Sequence, residues 1–325
     1  MKKCYLLLLL LCLLAGCGQD PAGTGPEGDG YIDAVELGEV SMEDEASALS
    51  DAAPPAVPDH LLLPEASGTA VKQEGNISID YSNVTDGYVM VQYAAPNSKR
   101  LKVQVAGPST TYTYDLAPET WVTYPLSDGN GDYKVTAFEN IQASEYSTLT
   151  SVSFSVEMED EFAPFIRPNQ HVDYANAPQS IQKAAELTAG LEDPLEKVER
   201  IYDFVVNTLS YDTEKAAAVK SDYLPVLDEV LSSKKGICFD YAALMTGMLR
   251  SQGVPCKLVK GYAGEVYHAW ISVWTEETGW IDGAIFFDGT SWQRLDPTFA
   301  STGKGSASIQ KYIGDGSNYS AKFLY

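Results

Sequence analysis

Residues 236–256, GICFDYAALMTGMLRSQGVPC, carry a cysteine near one end and another at the other, with a helical pattern between them. Tyr241, Leu244, Met245, Met248 and Leu249 recur on one face, and Gly253 with Pro255 supplies a stop, so a helix should begin at or just before Cys238. At about 1.5 Å per residue, a helix of about fifteen residues holds its ends roughly 20 Å apart. A disulfide needs its Cα atoms within about 7 Å, so this helix forbids a Cys238–Cys256 bridge and leaves two thiols to explain. Cys256, followed by the alternating KLVKGY, reads as a buried thiol on a strand. Cys238 lies where the helix dipole and unpaired N–H groups favour an anion, a placement that can lower a thiol pKa from about 8.5 toward neutrality. The same N–H groups could hold a developing oxyanion.

A thiolate nucleophile needs a proton carrier, and the chain has three histidines. His60 falls in an acidic linker and His171 at the entry to the helical region, neither well placed to meet the helix. His268 lies in YHAWISVW, 267–274, where alternation puts His268, Trp270, Ser272 and Trp274 on one face of a strand. An imidazole in turn wants an acid to fix its tautomer, and Asp296, ending WQRLD and halted by Pro297, is a candidate. From the residues alone, Cys238, His268 and Asp296 are compatible with a triad and equally with separate structural roles.

The surrounding words narrow this. GICFDYA heading a helix, then HAW, then LDPT, in that order, resembles the transglutaminase-like superfamily of papain-type cysteine enzymes over about residues 164–325. The resemblance implies a central helix packed on an antiparallel sheet. It also implies that Cys238 attacks a carboxamide or peptide carbonyl, His268 moves the proton, Asp296 holds His268, and a thioester passes to an amine or to water. The second oxyanion donor is unassigned, with Tyr211 a weak candidate. Between the histidine and aspartate strands, Trp280, Phe286 and Phe287 would line a substrate groove or pack in the core. The implied partners are protein or peptide substrates, cell-wall peptide among them.

Outward from this region the chain divides into four parts. Residues 1–16 have a basic start at Lys2 and Lys3 and a leucine run, which read as a signal peptide, and LAGC at 14–17 resembles the bacterial lipobox with Cys17 as the lipidated residue. The expected location is extracytoplasmic, anchored to the bacterial membrane through that lipid. Residues 17–70 read as a disordered acidic tether, with about a dozen acidic residues and no Lys or Arg up to Ala66. Residues 71–160 switch to a period of two in ISIDYS, GYVMVQYA, LKVQVAG, TYTYDL, YKVTAFE and SVSFSVEM, the pattern of an all-β sandwich. Gly131-Asp132-Tyr133-Lys134-Val135 resembles the tyrosine-corner strand of immunoglobulin-like or fibronectin-like domains. After Pro164 the pattern is helical, with Asp193-Pro194-Leu195-Glu196 as a helix start, and strands follow from Val259. The expected fold is therefore multidomain, an N-terminal all-β sandwich followed by an α+β transglutaminase-like domain.

A formal net charge of −23 repels nucleic acid and anionic membrane surfaces. No cysteine and histidine spacing suits zinc, and no glycine-rich loop suits nucleotide phosphates, so no metal or cofactor is expected. Asp128, Asn130, Asp132 and Glu139 imitate part of a calcium loop, but Tyr133 occupies the position that needs glycine, and a polar hairpin is the better reading. The function expected is a surface-anchored cysteine acyl-transfer enzyme: protease, amidase or transglutaminase. The alternative is a catalytically silent scaffold that uses both folds for recognition.

Overall fold

The structure is a computed structural model that describes residues 61–277, 279–282, 285–287, 292–294 and 319–325. The expected signal peptide, the expected lipidation site Cys17 and most of the expected tether lie outside these residues. No helix among the described residues is long and apolar enough to cross a membrane.

The first half consists of β1 (Val71–Glu74), β2 (Ile77–Asp80), β3 (Tyr88–Tyr93), β4 (Leu101–Ala106), β5 (Thr111–Asp115), β6 (Trp121–Pro125), β7 (Gly131–Gln142) and β8 (Glu145–Val156). They form two antiparallel sheets, ordered β1-β2-β3-β6 and β5-β4-β7-β8. Leu101, Val103 and Val105 of β4 are buried while Lys102 and Gln104 between them are less so, the alternation that pleating imposes on a half-buried strand. The rings of Tyr114 in β5 and Tyr124 in β6 meet at 5.0 Å, so the two sheets share an interior. Tyr133, at the start of β7, donates from its hydroxyl to Leu126 O and Gly129 O and accepts from the amide of Asp128, the backbone closure expected of a tyrosine corner.

The polar hairpin residues each have a local task. Asp128 accepts from the amides of Ser109 and Thr110, Asn130 from the amide of Met158, Asp132 from the hydroxyl of Ser155, and Glu139 pairs with Lys99 at 2.6 Å. Residues 65–70, expected as the end of the tether, are instead strapped to the sheets. Asn83 Nδ2 donates to Glu65 O at 2.8 Å, and the amide of Gly68 donates to Asp80 Oδ2 at 2.7 Å.

The second half contains α1 (Pro178–Leu187), α2 (Pro194–Thr208), β9 (Ser210–Tyr211), α3 (Thr213–Ala218), α4 (Leu227–Ser233), β10 (Lys235–Gly236) and α5 (Cys238–Ser251). Then come β11 (Cys256–Ala263), β12 (Val266–Thr275), β13 (Gly279–Asp282), β14 (Ile285–Phe287), β15 (Trp292–Arg294) and β16 (Tyr319–Leu324). β13-β12-β11-β16 form an antiparallel sheet, β14 pairs with β15, and β9 pairs with β10 in parallel. α5 packs against α1, α2 and α4 on one side and against β11 and β12 on the other. All fourteen of its residues are buried, whereas the sequence suggests a single apolar face. Small residues, Ala242, Ala243 and Gly247, fill the positions between the large ones, and that lets neighbours close on every side.

The two halves do not close off separate cores; one hydrophobic cluster runs through both. Tyr112 and Tyr114 of β5 meet the ring of Tyr325 at 5.8 and 5.9 Å, and Arg167 pairs with Asp86 at 3.2 Å. The aromatic side chains of TYTYD are large enough to reach beyond their own sheet, which a period-of-two reading cannot reveal.

His171 sits at this junction and not at a distance from the helix. Its ring stacks on Tyr325 at 3.8 Å and approaches Phe239 of α5 at 5.8 Å and Tyr114 at 5.7 Å, and its Nδ1 has no hydrogen-bond partner among the described residues. Burial, aided by the charge of Lys260, holds its pKa well below the usual 6.5. Below about pH 6.5 the unfolded chain takes up a proton that the folded chain refuses, so stability is full above that pH and falls below it. The expected slope from this residue is about 1.4 kcal/mol per pH unit. His171→Phe should flatten the fall in urea midpoint between about pH 6.5 and 5.5 while keeping the ring stack. Glu139 and Glu186, held below their usual 4.5 by hydrogen bonds from Lys99 and Lys183, lose their contributions only at lower pH, so the windows separate.

Candidate active site

The helix that carries Cys238 is delivered by a short parallel pairing. Lys234 ends α4 in the left-handed region at φ 54°, and β10 then runs beside β9 before Ile237, extended at ψ 175°, enters α5. Asp240, in the first turn, accepts from the amide of Ile237 at 2.8 Å, satisfying one of the donors that a helix start leaves unpaired. Its carboxylate is fully buried. Lys215 Nζ compensates it at 2.7 Å, and the hydroxyl of Tyr223 donates to its other oxygen. Lys215 also donates to the Tyr223 oxygen at 2.6 Å, so α3 and the loop after it are tied to the helix start. Gly236 is required here, because a Cβ would stand 2.6 Å from Cβ of Asp240.

The second side of the site is β12. His268, 5% exposed, lies opposite Gly261 of β11 in the antiparallel register. A Cβ on Gly261 would come within 2.1 Å of the Ser320 carbonyl and 2.8 Å of the Trp270 ring, so glycine lets β16 and Trp270 close beside the histidine. The His268 ring is 6.3 Å from that of Trp270 and 6.4 Å from that of Tyr319.

A cavity of about 40 Å³ joins the two sides: Ile237 and Phe239, which flank Cys238, line it together with Tyr223, Tyr267, His268 and Ala269. The residues on either side of Cys238 thus share one cavity wall with His268, while Cys238 itself is not among the residues that line it. Asp296, expected as the orienting acid, lies outside the described residues. Cys238 is 2% exposed at the start of α5, and Cys256 is a free thiol. Cys238 and Cys256 do not bridge one another, as the length of the helix between them requires. Cys256 is fully buried, its Sγ 3.5 Å from Thr246 Oγ1, and burial pushes its pKa up to about 11. It behaves as a packed strand residue.

Tyr211, the weak candidate for an oxyanion donor, lies near Tyr241 and Asp240, buried enough that its pKa is pushed up to about 12, and it does not line the cavity. The tyrosines in the wall are Tyr223 and Tyr267. Of the hairpin aromatics, Trp280 packs edge-on against Phe165 at 5.3 Å with Lys257 Nζ 3.5 Å from its ring centroid, which is a structural use. Phe286 and Phe287 lie in β14.

Residues 181–297 match the family model of the transglutaminase-like superfamily. This segment is a transglutaminase-like domain. It begins within α1, spans α5 and β12, and takes in Cys238, His268 and Asp296. Among curated proteins, the chain is 28% identical over 132 residues to the uncharacterized protein YebA of Bacillus subtilis, covering 33% of this chain and 18% of that one. It is 31% identical over 68 residues to a protein-glutamine gamma-glutamyltransferase of Pseudomonas aeruginosa, covering 17% of this chain and 10% of that one. The chain therefore spans less than a fifth of the length of either relative. A solved structure from Cytophaga hutchinsonii, titled provisionally as a cysteine protease, is 15% identical, with 73% of this chain and 83% of that chain covered and a TM-score of 0.34.

Proposed function

We propose that the chain is a surface-anchored cysteine acyl-transfer enzyme, a protease, amidase or transglutaminase, that acts through reduced Cys238. The observation that carries this reading is the single cavity shared by the peptide around Cys238 and the imidazole of His268, within a transglutaminase-like domain. In the proposed reaction the Cys238 thiolate adds to a carboxamide or peptide carbonyl, and the carbonyl oxygen takes the displaced electron pair. Amides of the first turn of α5 are the donors nearest to hand for that oxyanion. Collapse of the adduct breaks the C–N bond, the leaving nitrogen takes a proton from His268, and a thioester remains on Cys238. Water or a second amine, deprotonated by His268, then attacks the thioester and returns the thiolate. Asp296 is proposed to hold the His268 imidazole in the productive tautomer. Lipidation at Cys17 is proposed to hold the enzyme at the outer side of the bacterial membrane, where protein and cell-wall peptides are within reach.

The test is release of ammonia or amine from a panel of carboxamide and peptide donors, with a thiol reductant present to protect Cys238 from oxidation. Release by wild type and its loss in Cys238→Ala support the reading. Binding without release by either protein would favour the silent scaffold.

A further inference from the structure

We propose that Tyr223 is a positioning residue for acyl transfer, latching one wall of the cavity to the first turn of α5; the inference rests on the reading that Cys238 is the nucleophile. Val219, Lys220, Ser221 and Tyr223, from the segment between α3 and α4, share the cavity with Ile237 and Phe239, which flank Cys238. Neither a helix nor a strand ladder holds this segment, 219–226. The amide of Tyr223 closes a turn on Lys220 O at 3.1 Å, and Asp222 meets Arg100 at 3.8 Å with both side chains more than half exposed, a pair worth little. Among the described residues, the polar tie from this wall to α5 is the side chain of Tyr223.

Asp240 divides its two oxygens between two tasks. Oδ2 accepts from the amide of Ile237 at 2.8 Å, which caps the helix, and from Lys215 Nζ at 2.7 Å, while Oδ1 accepts from the Tyr223 hydroxyl. Lys215 Nζ also donates to the Tyr223 oxygen at 2.6 Å. A phenol has one proton to give, and burial together with the Asp240 carboxylate raises its pKa, so that proton stays on Tyr223 and is committed to Asp240. The hydroxyl cannot then serve a substrate oxyanion as well. What Tyr223 offers the reaction is the place of its ring, edge-on to Phe239 at 6.1 Å, and of the wall attached to it. Because the cap uses Oδ2 and the latch Oδ1, loss of the hydroxyl frees the wall and leaves the helix start at Cys238 in place. A wall that slips by about 1 Å misaligns a bound donor with the thiol, and misplacement of that size can cost about 10²-fold in rate.

The experiment compares wild type with Tyr223→Phe, which keeps the ring and removes the hydroxyl. The expected result is kcat about tenfold lower on the best donor with KM within about twofold, because the binding surface remains and the alignment is lost. Alkylation of Cys238 by iodoacetamide, a small neutral probe that needs no wall, should stay within about twofold of wild type. Amide hydrogen exchange of the 219–226 peptide should quicken about tenfold while that of α5 does not. A kcat within about twofold of wild type, whatever KM does, or unchanged exchange over 219–226, would overturn the role and leave the enzyme reading intact. Equal losses in turnover and in alkylation would also overturn it, and would assign Tyr223 to the helix start instead. A wild type that turns over no donor refutes the enzyme reading and this role with it.

Discussion

His268→Ala is expected to lower turnover by about 10²–10⁴-fold, the usual contribution of a positioned general acid and base. Cys238→Ala is expected to lose turnover altogether, because the proposed thioester forms on its Sγ. His268 is buried on β12, and its main chain is held by pairing with Gly261, so the alanine variant keeps the strand register and loses the imidazole. His268→Gln preserves burial and a hydrogen-bonding amide but cannot carry the proton. It should fall as far as alanine, whereas a structural histidine would be rescued by glutamine. Initial rates with the best donor, together with the thermal midpoint of each variant, separate the two. Activity within about threefold of wild type in either histidine variant would remove His268 from the chemistry.

The largest expected loss of stability is at Arg250, at the far end of α5 from Cys238. Its guanidinium donates to three main-chain oxygens, those of Cys256 at 2.8 Å, Arg167 at 2.8 Å and Tyr325 at 2.6 Å. One side chain thereby ties the central helix to β11, to the end of β16 and to the segment that leads in from the first half. The residue is 2% exposed, and burial brings its pKa down to about 10, still well above neutrality, so the charge stays and is met by main-chain oxygens. Arg250→Met keeps most of the apolar stem and leaves three acceptors short of a donor, each costing about 1–3 kcal/mol when buried. Relief of the ion's own desolvation offsets part of that sum, so the expected net loss is about 3 kcal/mol in urea denaturation. Arg250→Lys should recover little, since an ammonium lacks the planar fork that reaches three directions. A methionine variant as stable as wild type would contradict this account of the junction.

Much of the frame was legible in the residues. The DPLE signal placed the start of α2 correctly, and Asp193 Oδ1 accepts from the Leu195 amide at 2.8 Å. The start of α5 at Cys238 and the separation of Cys238 from Cys256 followed from periodicity and helix rise alone. β1 left no trace, because VKQE is exposed throughout and has no buried face to alternate. β6 was masked by its short WVTYP pattern, which ends on proline. The six-residue α3 is too short for helical periodicity to declare itself.

At the site, local sequence could nominate Cys238 and His268 because each lies in a distinctive pattern. It could not find Tyr223 and Lys215, which meet Asp240 from 17 and 25 positions away. The one available signal was Asp240 itself, an acid in the first turn of a helix that proves to be buried on all sides. His171 was misjudged for a related reason. Its role depends on Tyr325 folding back onto it from the far end of the sequence, and no window of neighbouring residues contains that contact.

The central claim is that Cys238 is the nucleophile, and trapping the acyl group on it tests this most directly. The reduced protein is mixed with a donor and quenched in acid, and its peptides are mapped by mass. The account predicts the acyl mass, less the leaving amine, on the peptide that holds Cys238, removable by hydroxylamine and absent in Cys238→Ala. An acyl group found on Cys256, or turnover with no acylated cysteine in either variant, would contradict it.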